Sequence, residues 1–366
     1  MPDLRPGDRT VRIPTLDISH ETERHIVIAS GTEEVYQGHP TTLLMPDRKR
    51  MFCVWTLDHG GPCGPLKRSD DGGLTWGDLL PVPDSWNEVR NCPTIHRLVD
   101  PAGAIRLVVF AGQGSDGTMH QSHSEDDGRT WTHMSTNGLS CVMPFCAIVP
   151  VEDGGRLLGM TNIRRPDDPT ETLSNILAQS YSADGGLTWN DWDIVLDIPG
   201  CKLCEPELVR SPDGRQLLCL IRENNRAFNA WMMVSDNDGV TWSEATQLPA
   251  SLSGDRHMAR YAPDGRLVVC FRDTAEESPT RNHFIAWVGT YDDVAAGRQG
   301  QFRAKLLHSY AGADCGYPGL ECLPDGTFAA TTYVKYRPGP IKHSVVSVRF
   351  TLDELDAMGT IGNAQN

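Results

Sequence analysis

The sequence predicts an all-β fold, a six-bladed β-propeller, on three observations. An octapeptide of the form Ser-x-Asp-x-Gly-x-Thr-Trp occurs at Ser69 to Trp76, Ser124 to Trp131, Ser182 to Trp189 and Ser235 to Trp242, with Asn237 replacing Asp in the last. Its starts lie 55, 58 and 53 residues apart, the interval of a repeat built from short strands. A second periodicity, out of phase with the first, sets a residue-Pro or residue-Met pair ahead of each unit: His39-Pro40, Cys92-Pro93, Met143-Pro144, Glu205-Pro206, His257-Met258 and Tyr317-Pro318. Six units of about 53 residues account for nearly all of the chain, so we expect one domain.

Within the octapeptide, Asp caps its own backbone, Gly accepts positive φ, and Trp anchors the turn against neighbouring strands. The second periodicity reaches turns at Asp47-Arg48, Asp100-Pro101, Asp153-Gly154, Asp213-Gly214, Asp264-Gly265 and Asp325-Gly326. Strand-like runs follow each turn, at Met51 to Trp55, Ile105 to Phe110, Arg156 to Met160, Gln216 to Ile221, Arg266 to Phe271 and Thr327 to Tyr333. Blade five lacks a good octapeptide, because Thr290-Tyr291-Asp292-Asp293 dissolves into Ala295-Ala296-Gly297.

The ends follow from the same logic. Residues 1–23 read as an irregular segment, 24–358 as the propeller and 359–366 as a frayed tail. His25 to Ser30 reads as a strand that closes the ring by pairing with Ser344 to Phe350, which removes free sheet edges. Leu352 to Met358 reads as a short helix.

A formal charge of -15, from 33 Lys and Arg against 48 Asp and Glu, argues against a nucleic-acid partner. No stretch approaches a membrane span, so no membrane partner is expected. Met1 to Glu23 shows no secretory signal, which points to the cytoplasm or to a trimmed secreted form. Most of the 11 cysteines sit in apolar strand contexts, as Cys53, Cys146, Cys219 and Cys270 do, and read as buried thiols. Cys201-Lys202-Leu203-Cys204 lacks a second metal-like pair, and neither a metal nor any other cofactor is expected.

The first strand of each blade lines the channel, so residues at the starts of these strands meet at one end of the axis. That set is His39, Cys92, Met143, Glu205, His257 and Tyr317. Arg222 and Arg272 lie at the far ends of second strands, and Arg281 opens the next strand of blade five. Each could be solvated or simply bond across a narrow channel. Converging on the rim of Glu205 and Tyr317, the arginines would instead clamp a carboxylate, since guanidinium is a planar fork.

These residues carry a resemblance. The four octapeptides look like the Asp-box (BNR) repeats of the sialidase (neuraminidase) superfamily, whose fold is a six-bladed propeller. Cys204-Glu205-Pro206-Glu207, followed by Arg222, resembles the segment holding the glutamate partner of the nucleophile and the second arginine of a triad. Arg281-Asn282 resembles the third arginine, and Gly316-Tyr317-Pro318-Gly319 the tyrosine nucleophile segment. One departure stands out: Tyr36-Gln37-Gly38-His39-Pro40 puts Gly38 where the first arginine is expected. Arg12-Ile13-Pro14 is similar to the missing motif but lies outside the blade register. By the same resemblance Asp58, after the second strand of blade one, is the acid.

The resemblance implies a carbohydrate-active enzyme, foremost an exo-acting glycoside hydrolase that cleaves a terminal acidic sugar. Tyr317 would attack the anomeric carbon, Glu205 take its proton, Asp58 protonate the leaving oxygen, and Arg222, Arg272 and Arg281, with His39 and His257, bind substrate. Three alternatives stand beside it: a related hydrolase for a non-sialic sugar, a uronate lyase using His and Tyr, and a non-catalytic glycan-binding propeller.

Overall fold

A computed structural model describes residues 4–112, 117–165 and 175–363. Among them the strands form six antiparallel-wound sheets, ordered so that consecutive strands run from the channel outward. Blade one holds Gln37–Leu44, Met51–Leu57 and Cys63–Ser69; blade two holds Thr94–Val99, Ile105–Ala111, Thr118–Ser124 and Ser135–Ser140. Blade three comprises Ala147–Val151, Arg156–Arg164, Asn175–Ser182 and Asp193–Leu196, and blade four Leu203–Arg210, Leu217–Glu223, Trp231–Ser235 and Thr246–Gln247. Gly254–Tyr261, Leu267–Asp273, Phe284–Gly289 and Phe302–Leu307 build blade five; Cys315–Cys322, Phe328–Val334 and Ser344–Phe350 build blade six. The expected second strands are all present at the expected turns.

The octapeptides form one turn four times. In each, the Ser Oγ accepts the amide of the second Gly-position residue, as Gly73 to Ser69 at 2.9 Å and Gly186 to Ser182 at 2.9 Å, and donates to the Asp side chain. Asp184 then accepts the amides of Leu187 and Thr188, both at 3.0 Å, and the Thr188 hydroxyl at 2.5 Å. Asn237 keeps this geometry by reversing one role: its Nδ2 donates to Thr241 Oγ1 at 2.9 Å. The closing indoles pack as anchors, Trp189 on Phe145 at 4.2 Å between ring centres and Trp131 on Trp86 at 5.2 Å.

His25–Ala29 pairs antiparallel with Ser344–Phe350, His25 facing Val348, so blade six is completed from both parts of the chain. Three local features depart from the expectations. Thr15–Asp17, read as irregular, adds to the outer edge of blade five in parallel, Thr15 facing Arg303. Three residues with one apolar side chain carry no alternation from which a strand could be read. The degenerate octapeptide of blade five is a helix, Tyr291–Ala295, because Thr290 and Asp293 form a reciprocal capping box. The C-terminal helix runs Leu352–Asn363 rather than stopping at Met358, so much of the tail expected to fray is helical; residues 1–3 and 364–366 of the expected end segments lie outside those described. Cys53, Cys146, Cys219 and Cys270 are buried thiols. No described helix is long and apolar enough to cross a membrane.

Because the Asp184 carboxylate satisfies two amides and two hydroxyls, Asp184→Ala should cost about 2 kcal/mol, read as a lower denaturation midpoint. Its pKa is lowered in the fold, as those hydrogen bonds outweigh the opposing effect of burial. The contribution is therefore complete above the ordinary carboxylate range and is lost as pH falls through the folded value.

Candidate active site

The inner strands of four blades share one irregularity. Pairing with the second strand skips two residues, between Gly38 and Thr41, Cys204 and Glu207, Asp255 and Met258, and Gly316 and Gly319. The resulting bulges put Glu205, Arg256 and Tyr317 in left-handed backbone, at φ of 48°, 53° and 58°. Such backbone costs about 1–3 kcal/mol per residue and persists where the surroundings enforce it. Proline follows in three cases, Pro40, Pro206 and Pro318, at a position whose N–H has no ladder partner to bond.

This register corrects the reading of blade five. Its counterpart of Glu205 and Tyr317 is Arg256, and His257 takes the place that proline holds elsewhere. His257 is buried, its Nε2 lies 3.0 Å from the Leu252 carbonyl, and its ring packs 5.0 Å from Phe271. Burial brings its pKa down to about 4, so it is neutral. The signal for Arg256 was present: it stands eight residues before Asp264, as His39, Glu205 and Tyr317 stand before Asp47, Asp213 and Asp325. Matching His257-Met258 to the residue-Pro pairs hid it.

Arg222, at the end of the second strand of blade four, draws the mouth together. Its Nη1 donates to Glu205 Oε2 at 2.6 Å and to the Tyr317 hydroxyl at 3.3 Å. Nη2 donates to Asn224 Oδ1 at 2.5 Å, and Nε lies 2.9 Å from Asp255 Oδ1. Asp255, 1% exposed, also receives Arg226 in a fork at 2.6 and 2.7 Å and Arg272 Nε at 2.8 Å. Burial alone would raise this carboxyl, yet Arg222, Arg272 and Arg226 hold it well below the usual range. Arg272 further donates to the carbonyls of Ala313 and of Cys315, the latter at 2.7 Å, and so ties blade five to blade six. Arg256, 2% exposed, lies with its guanidinium carbon 5.9 Å from the centre of the Tyr317 ring and has no protein partner at Nη1.

Burial, and then the Glu205 and Cys92 side chains, push the Tyr317 phenol well above its ordinary value, so it stays protonated until a base takes the proton. Its ring lies 4.4 Å from that of His39 and packs on Cys92, Met143 and Cys146. His39, 2% exposed, accepts the Gly60 amide at Nδ1, 3.2 Å away, which leaves its proton on Nε2. Burial and the neighbouring His59 keep it neutral.

Asp58 and Arg281 are not brought to this cluster. Asp58 turns in left-handed backbone, φ 64°, with its carboxylate exposed, and contributes only main chain: its N–H to the Tyr36 carbonyl at 2.9 Å and its carbonyl to the Thr56 hydroxyl at 2.9 Å. Arg281 is exposed on a loop held outward by Asp273, whose carboxylate binds the Thr280 hydroxyl at 2.7 Å and the fully buried Arg303 at 2.6 Å. It lines a small cavity with Arg9, Arg226 and Glu276 instead. Arg12 pairs with Asp8 on the outside of blade five. No side chain fits at Gly38, where a Cβ would meet the Asp58 carbonyl and Thr56 Oγ1, each at 2.6 Å. Sequence reasoning also missed Asp314, which lies just ahead of the Tyr317 strand. The Tyr36 hydroxyl donates to its carboxylate at 3.0 Å, with His59 Nδ1 at 3.1 Å and His343 Nε2 at 3.3 Å.

Replacing Asp255 by Asn removes the charge that holds three buried or half-buried guanidinium groups. We expect a loss of about 3–5 kcal/mol in chemical denaturation, since breaking a buried pair leaves charge uncompensated. The sign with pH is that of a depressed acid: the stabilisation is complete above the ordinary Asp range and disappears only on strong acidification.

No family model matches the chain. A sialidase from Micromonospora viridifaciens is 25% identical over 283 residues, 74% of this chain and 34% of that protein. An anhydrosialidase from Macrobdella decora is 28% identical over 135 residues, 34% of this chain and 16% of its own. The chain thus spans about a third or less of the length of these relatives. Among solved structures, a protein of unknown function from Dyadobacter fermentans superposes with a TM-score of 0.67 at 17% identity, covering 89% of this chain and 98% of the other. The intramolecular trans-sialidase from Ruminococcus gnavus, in complex with oseltamivir carboxylate, gives 0.58 at 14% identity over 90% and 97%. With sialidases among both its sequence relatives and its fold neighbours, the chain is a six-bladed β-propeller similar to those of the sialidase superfamily.

Proposed function

We propose that the chain is an exo-acting, sialidase-type glycoside hydrolase that removes a terminal acidic sugar, with Tyr317 as nucleophile and Glu205 as its base. The observation that carries this reading is the Arg222 Nη1 contact to both Glu205 Oε2 and the Tyr317 hydroxyl. It keeps a carboxylate beside a phenol that cannot ionise unaided. The Tyr317 proton passes to Glu205 as its oxygen attacks the anomeric carbon. Retention follows from the second displacement, by water, on the glycosyl-tyrosine. A neutral nucleophile also meets no repulsion from a substrate carboxylate.

Charge supports an acidic sugar. Four guanidinium groups, of Arg222, Arg226, Arg256 and Arg272, gather around the acidic side chains of Glu205 and Asp255, an excess of positive charge in a chain of net -15. The four octapeptide turns, read as Asp boxes, tie strands within the blades through their Ser and Asp side chains. His39, whose Nδ1 is already an acceptor, presents an N–H rather than a base, which weighs against β-elimination.

A panel of aryl glycosides that includes a sialoside tests the proposal. Release of the aglycone with retained configuration is expected from at least one acidic glycoside. Tyr317→Phe should leave only background turnover, and Glu205→Gln should lower kcat by about 10²–10⁴-fold. A product absorbing in the ultraviolet as an unsaturated uronate, or full activity in Tyr317→Phe, would overturn it.

A further inference from the structure

We propose that His59 is the general acid of this reaction and that Asp314 is the residue that positions it, an assignment that rests on the hydrolase reading above. Departure of the glycosidic oxygen needs an N–H or O–H at the mouth that can give up its proton. The acidic groups beside Tyr317 do not meet that need. Asp58 meets Tyr36 and Thr56 through its main chain only. Asp314 stays ionised: burial opposes this, but the hydrogen bond to His59, the nearby His343 and the Tyr36 hydroxyl outweigh it and set its pKa at about 2. His39 is buried and neutral, and a neutral imidazole N–H is too weak an acid for the task.

His59 meets it on geometry. Its side chain is 61% exposed, open to an incoming leaving group, while its ring stands edge-on to His39 at 4.5 Å. His39 in turn lies 4.4 Å from Tyr317, so one ring separates the proposed acid from the nucleophile. Nδ1 of His59 is engaged, 3.1 Å from Asp314 Oδ1 and 3.4 Å from the Tyr36 hydroxyl, which leaves Nε2 as the nitrogen for substrate. The Gly60 amide bonded to His39 ties the loop of His59 to the same mouth. An ionised carboxylate on one ring nitrogen fixes the orientation of the ring, the arrangement by which histidine commonly serves as a proton carrier.

The groups around His59 are the anion of Asp314, the neutral ring of His39, the phenols of Tyr36 and Tyr333, and His343 across Asp314. In the first step the Nε2 proton goes to the leaving oxygen, which keeps the electron pair of the broken bond. Tyr317 oxygen bonds the anomeric carbon and its proton goes to Glu205. In the second step neutral His59 takes a proton from the attacking water, and Glu205 returns its proton to the departing tyrosine oxygen. Atoms and charge balance with water as the other reactant.

The test uses leaving groups. Against the glycoside found active in the panel above, His59→Ala and His59→Gln are compared with wild type on a 4-nitrophenyl and an alkyl aglycone. Loss of about 10²–10³-fold on the alkyl glycoside with little change on the 4-nitrophenyl one is expected. The alkaline limb of the kcat/KM profile should vanish with it, and Asp314→Asn should show the same leaving-group dependence as a smaller loss on the alkyl glycoside. Equal losses on both aglycones, an unchanged alkaline limb, or leaving-group dependence in Asp58→Asn instead would overturn the assignment while the hydrolase reading stands. A wild-type protein inactive on every glycoside would overturn both.

Discussion

One buried carboxylate governs the mouth of this propeller. Asp255 accepts Arg222, Arg226 and Arg272, which come from two blades and would otherwise repel one another in a space with little water. Removing charges from water is costly, and only dense reciprocal hydrogen bonding offsets it. Once Arg222 is fixed at Asp255, its remaining donors are aimed, and Glu205 and Tyr317 settle against them. The chemistry of the site is therefore second in a hierarchy whose first member is an electrostatic clasp that need not touch substrate.

Backbone strain is the other half of that arrangement. Three consecutive blades, four to six, put a non-glycine residue into left-handed backbone at the same place on the inner strand. A regular strand would alternate its side chains between the two faces of the blade, and none would be presented end-on to the axis. The bulge turns one residue per blade toward the common centre. Glu205, Arg256 and Tyr317 are that residue in their blades, and the strain is tolerated because the clasp and the packing around Cys92 and Met143 hold them there.

Much of this was legible in the sequence, and the limits have physical causes. Blade number, second strands and the pairing of His25–Ala29 with Ser344–Phe350 follow from local chemistry, because a turn residue and an apolar run report on themselves. Glu205, Tyr317 and Arg222 were legible because their blades keep proline after the bulge. Blade five has histidine there, so Arg256 was passed over although its distance from Asp264 marks it. Asp314, His59 and Tyr36 were harder: they meet only in three dimensions, 278 residues separating Tyr36 from Asp314, and nothing about either loop alone announces the other. Arg281 and Asp58 show the opposite error, in which a suggestive spacing survives while a neighbouring carboxylate or an exposed turn directs the side chain elsewhere.

The strand His25–Ala29 has a meaning beyond its hydrogen bonds. It fastens the chain between blades six and one, and across that same seam Tyr36 and His59 reach Asp314 while His39 reaches Tyr317. The His39 and Tyr317 sides of the mouth thus belong to the segments of the ring that are farthest apart along the chain and join through its longest loop closure. A disc that has built five blades but not latched the sixth already owns most of its core and the Asp255 clasp, yet lacks Tyr317 against His39, so competence arrives only with the clicking shut of the circle.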